Sequence, residues 1–287
     1  MKRLSHLPLL LSAAVWTFLL ATAAAQVDVQ VIAAKRNFLI GEPVAVTIEI
    51  TNNAGRDLTF SSTPTQSWLQ LRVKNGRGES MTPQSSGVFR SGAIAPNQTI
   101  RREIYLTSVF NMTRPGNYRF TAAVSPDGDQ REYVAAGNFV NVSPGTIISR
   151  QERGVPGTQN EVREFRLLTF GGNSKTELYS QIWNPISDLP VHTKKLGGAL
   201  MFPKPQTLTD NTPNNHILYR VSPDIYHYIV VDLEGAVIQA EKYKKGAANL
   251  RLEKFANGEV IVAGGVVYDA TAEVERKAQI RRISERP

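Results

Sequence analysis

The sequence has no cysteine among its 287 residues. This absence excludes a disulfide framework, catalysis by a thiol, and metal sites built from thiolates. A chain without disulfides has to be stabilised by ordinary hydrophobic cores. A chain of this length is large enough to form two of them, so we expect two domains.

Long apolar runs are missing after the N-terminus. The chain begins with Lys2 and Arg3, continues with the apolar stretch Leu7–Leu20, and reaches three alanines that end at Ala25, before Gln26. This order predicts a signal peptide that is cleaved between Ala25 and Gln26. An uncleaved anchor is the alternative, although the stretch is shorter than the about 20 residues that a spanning helix needs. We expect a secreted or periplasmic protein with no transmembrane segment after signal removal.

The familiar catalytic motifs are absent as well. The sequence contains no His-Glu-x-x-His, no Gly-x-Ser-x-Gly and no phosphate-binding loop. The histidines after the signal match no metal-ligand spacing and are interpreted as structural, so we predict a non-enzyme with no cofactor and no metal. A hydrolase that uses histidine and aspartate is the alternative, and its candidate residues are His192, His216, His227, Asp210, Asp224 and Asp232.

Positive charge is in excess, with a net charge of +8. The densest basic group, "ERKAQIRRISER" at 275–286, is interleaved with acids, and no basic stripe carries interspersed aromatic residues. We therefore predict no specific nucleic acid partner and expect a protein or an envelope polymer instead.

Short strands with polar turns are present from Gln26 to about Ser143. In "VAVTIEIT" the residues Val46, Ile48 and Ile50 share one face, and the alternation repeats in "WLQLRV". Turns such as "NNAG", "NGRG" and "APNQ" separate these runs. This spacing predicts an antiparallel immunoglobulin-like sandwich.

The same region resembles the BsuPI-type domain, a small immunoglobulin-like family named after a bacterial intracellular proteinase inhibitor. The resemblance rests on "GEPVAVTIEITNNAGRDLTF", "WLQLRVKNGRGE", the isolated Phe89, "IAPNQT" and "RPGNYRFTAAV". It implies the fold, and it raises proteinase inhibition as an alternative function. The acid–aromatic pair usual in the family is replaced here by Ser67 and Trp68, so only the fold is carried over.

A second β region follows a segment rich in glycine, proline and polar residues, "PGTIISRQERGVPGTQNE", which we interpret as a linker. Its strand candidates predict an antiparallel meander or small sandwich. The predicted organisation is therefore all-β, with a signal peptide (1–25), an immunoglobulin-like sandwich (26–143), a linker (144–161), a C-terminal β domain (162–270) and a charged tail or short helix (271–287).

Three aromatic residues are the candidates for ligand contact. Trp68 falls on the polar face of its predicted strand, and Tyr179 and Trp183 belong to "ELYSQIWNP". Exposed tryptophan and tyrosine often anchor sugars or peptides. The sequence thus favours an exported, non-enzymatic binding or structural protein of the bacterial cell envelope, with the inhibitor and the hydrolase as alternatives.

Overall fold

A computed structural model describes residues 26–63, 66–85, 89–172 and 175–269. The predicted signal peptide, with Ala25 at its end, and the predicted tail at 271–287 lie outside these ranges. The chain forms two compact units that interleave in sequence. The first unit contains residues 26–34, 44–110 and 118–139, and the second contains residues 35–43, 111–117 and 140–269.

Almost all regular structure in the described residues is β-strand. No helix in this part of the chain has both the length and the apolar character needed to cross a membrane. The elements in chain order are β1 (Val27–Ala33), β2 (Asn37–Leu39), β3 (Ala45–Asn52), β4 (Leu58–Phe60), β5 (Leu69–Lys74), β6 (Gly92–Ile94), β7 (Thr99–Tyr105), α1 (Leu106–Val109), β8 (Gly116–Val124), β9 (Tyr133–Val134), β10 (Asn138–Ser143), β11 (Thr146–Gly154), β12 (Val162–Gly172), β13 (Lys175–Asn184), β14 (Leu189–Gly198), β15 (Gln206–Thr209), β16 (Asn215–Arg220), β17 (Ile225–Val231), β18 (Val237–Lys245), β19 (Arg251–Lys254), β20 (Val260–Ala263) and β21 (Gly265–Val267).

The first unit contains an antiparallel sheet in the order β1-β3-β7, so β1 and β7 are its two edges. Val46, Ile48 and Ile50 of the central strand are buried, as their alternation predicts. Strand β8 pairs with β5 along one side and with the short β9 at its end. Tyr118 and Phe120 on β8 are buried and add to the core.

The second unit is built from two meanders, in which each strand pairs with the next one in sequence. One sheet has the order β11-β12-β13-β14, and the other has the order β15-β16-β17-β18 with β21 added at its edge. Phe165 and Leu178 from the first sheet pack against Ile217 and Ile229 from the second. The prediction of an all-β chain, with an antiparallel sandwich followed by a second antiparallel β region, is confirmed.

Strands β16 and β17 are buried on both faces. Ile217 and Ile229 face the other meander, whereas Leu218 and Val230 face Leu252 of the β19–β20 hairpin. Alternate residues of a strand point to opposite faces, so neighbours in sequence enter different cores here. This explains why "HILYRV" and "YHYIVVDL" read as continuous apolar runs.

The linker predicted at 144–161 is wrong for half of its length, residues 146–154. Strand β11 occupies it and pairs with β12 as an edge strand of the first meander. Its half-buried positions include Ser149 and Gln151, which hydrogen-bond to Thr207 on β15. Polar residues on the covered face remove the apolar alternation by which the sequence identifies a strand.

The predicted domain boundary also differs from the observed one, because residues 35–43 group with the second unit. Leu39 packs with Leu168 and Tyr179. The Gln181 Nε2 atom donates to the Ile40 carbonyl at 2.9 Å. A single boundary in the sequence could not separate the two units, because the second unit includes strand β2, which precedes the predicted boundary.

Candidate functional site

Trp68 is a core residue, not an exposed anchor. It is 4% exposed, and its ring lies 5.0 Å from Phe60 and 6.2 Å from Phe89 between centroids. Its indole Nε1 donates to the Arg90 carbonyl at 3.2 Å. Trp68 precedes the first residue of β5, so strand alternation does not govern its direction. The prediction that it contacts ligand from the polar face is wrong for this reason.

Tyr179 is completely buried on β13. Its hydroxyl donates to Glu177 at 3.2 Å and accepts from Lys35 Nζ at 3.4 Å. Burial raises the pKa of the Tyr179 hydroxyl, and the nearby Glu42 and Glu177 carboxylates raise it further. The side chain therefore supports the second unit from inside and is not available as a ligand anchor.

Trp183 is 9% exposed and is covered by an arginine. The Arg166 guanidinium lies 4.0 Å from the ring centroid, and Arg166 is held by two bonds of 2.9 Å to Glu164. A guanidinium over an indole face is a favourable cation–π arrangement. The stack occupies the face that a ligand would use, so the predicted role of Trp183 is wrong as well.

His216 has both ring nitrogens engaged. Its Nε2 donates to the Asp210 carboxylate at 3.1 Å, and its Nδ1 lies 2.7 Å from the Tyr228 hydroxyl. Burial raises the pKa of Tyr228 to about 12, with the charges of Tyr243 and Glu241 adding to the effect. A hydroxyl with this pKa is not ionised at neutral pH. The contacts among His216, Asp210 and Tyr228 therefore satisfy one another's hydrogen-bonding groups and provide no activated nucleophile.

His227 belongs to a separate network on the other face of the same sheet. The Tyr219 hydroxyl donates its single hydrogen to the Leu196 carbonyl at 2.8 Å. The Tyr219 oxygen therefore accepts a hydrogen bond from His227 Nδ1, at 2.9 Å. Burial lowers the pKa of His227, and the charge of Lys242 lowers it further.

The other residues of the hydrolase alternative lie apart. His192 is exposed on β14, with its ring against Gly235. Asp232 caps the turn after β17 by accepting from the backbone of Glu234 and Ala236, and Asp224 is an exposed turn residue. Within the described ranges, no group of three histidine, cysteine or acidic residues is arranged to hold a metal ion.

A groove of about 630 Å³ in the first unit is the strongest candidate site. One wall is β1, from Val27 to Ile32, and the other is formed by residues 132–134 and 136–138. This volume lies within the about 300–1,000 Å³ typical of binding clefts.

The backbone of β1 presents unpaired groups to this groove. The bonds Asn53 N to Gln26 O and Ala34 N to Ala45 O show that the even-numbered residues of β1 pair with β3. In an antiparallel ladder the intervening residues point both backbone groups away from the neighbouring strand. Val27, Val29 and Val31 therefore turn their N–H and C=O groups outward.

Side chains connect the two walls only near the ends of the groove. At one end Asn138 Nδ2 donates to the Val31 carbonyl at 3.2 Å, and at the other the Tyr133 hydroxyl lies 3.4 Å from Gln26 Oε1. Among the described residues, the outward backbone groups of Val27 and Val29 and the N–H of Val31 have no hydrogen-bond partner.

The groove is acidic and partly apolar. Asp28 and Glu132 are among the lining residues, and none of the twelve lining residues is a lysine or an arginine. Ile32 and Val134 also line it and are 45% and 52% exposed. Glu132 forms an ion pair with Arg72 outside the lining, whereas Asp28 accepts a neutral hydrogen bond from Gln30 at 3.0 Å.

Our reading of the sequence missed this site. The alternation in "VDVQVI" is sufficient to predict strand β1. The sequence does not show that β1 is an edge strand, or that the facing segment does not pair with it. Those two properties create the groove.

No family model and no curated protein sequence matches this chain. Two solved structures match remotely. The sporulation control protein Spo0M from Bacillus subtilis is 11% identical with a TM-score of 0.29, over 91% of this chain and 96% of that chain. The periplasmic chaperone SfaE is 13% identical with a TM-score of 0.27, over 74% of this chain and 96% of that chain. Likenesses this distant assign no function, and the resemblance to the BsuPI-type family stays a prediction.

Proposed function

We infer that the protein is an exported, non-enzymatic binding protein of the bacterial cell envelope, and that it binds its ligand in the groove beside β1. Export rests on the predicted signal peptide that ends at Ala25. Binding rests on the groove itself, where backbone donors and acceptors without partners line a cleft of about 630 Å³.

The single observation that carries the proposal is the outward backbone of Val27, Val29 and Val31. Polar backbone groups are nearly always hydrogen-bonded in native structures, so a row of unpaired ones inside a cleft is a place where a ligand gains bonds. The exposed side chains of Ile32 and Val134 supply apolar contact in the same place.

The hydrolase alternative receives less support. His216 and His227 lie on opposite faces of the sheet, and each uses its ring to satisfy buried groups. General acid–base catalysis needs such groups within hydrogen-bond reach of each other and of the substrate.

The experiment combines localisation with binding. The full chain is expressed with its leader, the cell is fractionated, and the N-terminus of the exported form is sequenced. We expect it to begin at Gln26 or within one or two residues of it. The purified exported chain is then tested for binding to arrays of glycans, peptides and lipid vesicles.

A matched pair of variants assigns the site. Val134→Trp fills the groove from the wall opposite β1, whereas Val267→Trp places the same ring on an exposed valine of β21, which is 64% exposed. We expect the first variant to lose binding and the second to keep it, with similar melting temperatures. Binding that survives Val134→Trp, the absence of any ligand, or hydrolysis of an array substrate would contradict the proposal.

A further inference from the structure

The two edges of the sheet β1-β3-β7 are protected to different degrees. Edge β7 carries Arg101, Arg102 and Glu103, and all three side chains are exposed. Charged side chains on an edge strand discourage pairing with other chains. Edge β1 carries a single charge, Asp28, among valines, glutamine and isoleucine. The sheet thus has one edge, β7, that is protected from pairing and one edge, β1, that can accept a strand.

We propose that the groove binds an extended segment of a partner polypeptide, which adds to β1 as a fourth strand of this sheet. The proposal rests on the function inferred above and names the chemical class of its ligand. Main-chain hydrogen bonds would provide affinity, and alternate side chains would provide specificity, as in other cases of strand addition.

The length of the segment follows from β1. Val27 to Val31 covers about 13–17 Å at about 3.3 Å per residue, so the bound segment has about five to seven residues. Only every second residue of an added antiparallel or parallel strand directs its backbone toward β1. Binding should therefore depend on alternate peptide N–H groups.

The side chains of the partner segment follow from the charges of the groove. Asp28 lines the groove, whose lining contains no lysine or arginine, and Glu132 is already paired with Arg72, so a basic side chain gains and an acidic one loses chiefly beside Asp28. Ile32 and Val134 favour apolar residues at the intervening positions. We expect a segment that alternates apolar and basic or neutral polar residues.

The same charges disfavour a second copy of this chain as the occupant. Pairing β1 with another β1 would bring a second Asp28 into a groove that already contains Asp28. Like charges across a strand pair are destabilising. Concentration-dependent dimerisation that is abolished by Val134→Trp would therefore overturn the partner-segment proposal.

The experiment uses synthetic heptapeptides as probes and the full exported chain as the receptor. One peptide alternates valine and lysine, and its counterpart alternates valine and glutamate, both with blocked termini. Fluorescence anisotropy of labelled peptides measures affinity. We expect the lysine peptide to bind more tightly than the glutamate peptide. Equal affinity of the two, or no binding of either, would overturn the proposal.

An N-methyl scan of the lysine peptide is the sharper test, because it leaves the protein unchanged. Removing a backbone N–H that faces β1 should weaken binding by about tenfold. Removing one that faces away should change little, so losses should recur at every second residue. Losses without this period would mean that the peptide is held by its side chains and would overturn strand addition.

A charge reversal in the protein completes the test. Asp28→Lys should lower the affinity for the lysine peptide by about two- to fivefold and raise the affinity for the glutamate peptide by a similar factor. Glu103→Lys on the opposite edge of the sheet is the matched control and should change neither. Equal effects of both variants would assign the preference to net charge and not to the groove.

These outcomes separate the two proposals. One outcome is that a glycan or vesicle binds the wild type but not Val134→Trp, while no peptide binds. This outcome would support the groove as a binding site and reject the peptide as its ligand. Failure of every array component would reject both.

Discussion

The two units leave the edges of their sheets in different states. In the second unit, the edge strands β11 and β15 of the two meanders are joined by side chains. Ser149 Oγ lies 2.7 Å from Thr207 Oγ1, Gln151 Nε2 donates to the Thr207 carbonyl at 3.1 Å, and Arg153 donates to Thr209. In the first unit, the side-chain hydrogen bonds that the described residues form across the groove beside β1 lie near its ends.

This difference indicates where each unit can bind a partner. The second unit pairs many of its polar side chains internally, including two histidines and several tyrosines, and leaves Gln151 Oε1, Ser180 Oγ and Asn215 Oδ1 buried without a hydrogen-bond partner. The first unit leaves backbone donors and acceptors free in a groove. The three histidines after the predicted signal peptide and most of the buried tyrosines lie in the second unit, whereas the row of unpaired backbone groups beside an open groove lies in the first.

The largest effect on the free energy of unfolding is expected from Trp68→Ala. This variant tests whether Trp68 belongs to the core of the first unit or acts as a ligand anchor. Deleting a buried tryptophan costs about 3–5 kcal/mol of the free energy of unfolding. Trp68→Phe should cost less, because it keeps the contact with Phe60 and loses the bond to the Arg90 carbonyl. Urea denaturation followed by circular dichroism measures both. A Trp68→Ala variant as stable as the wild type would restore the exposed-anchor interpretation.

A smaller effect is expected from opening the closed seam of the second unit with Thr207→Val. The change keeps the volume and removes the hydroxyl that lies against Ser149 and Gln151. Leaving such groups unpaired costs about 1–3 kcal/mol. Asn138→Ala in the first unit should cost less, because water can replace its bond to Val31 in the open groove. Equal losses in urea denaturation would mean that the two seams are alike.

The smallest effect is the pH dependence that His227 gives the second unit. Burial and Lys242 hold its pKa below 6.5 in the folded chain. Below pH 6.5 the unfolded chain then binds the proton more readily, so the free energy of unfolding falls until the lowered pKa is reached and is unaffected by this group above pH 6.5.

Trp183 fluorescence in a Trp68→Phe background reports on the second unit during this titration. His227→Gln should reduce the loss of stability below pH 6.5, and His192→Gln, at an exposed position, should leave it in place. An unchanged pH profile in His227→Gln would show that the imidazole is not a cause of the acid sensitivity.

The sequence predicted what depends on local pattern. Alternation placed Val46, Ile48 and Ile50 on one buried face.

What the sequence could not predict depends on neighbours that are distant along the chain. Trp68 is buried because Phe60 and Phe89 surround it, and Trp183 is covered because Arg166 lies on the adjacent strand. The groove depends on the absence of pairing between β1 and the segment facing it. Residue types reveal such arrangements only after the sheet order is known.

Amide hydrogen exchange along β1, followed by NMR, tests the central claim most directly. The account predicts an alternation, with fast exchange at Val29 and Val31 and slow exchange at Asp28 and Gln30, whose amides pair with β3. It also predicts that a bound lysine heptapeptide slows Val29 and Val31. Uniform protection along β1 in the free chain would contradict the account, because it would mean that the edge is already paired.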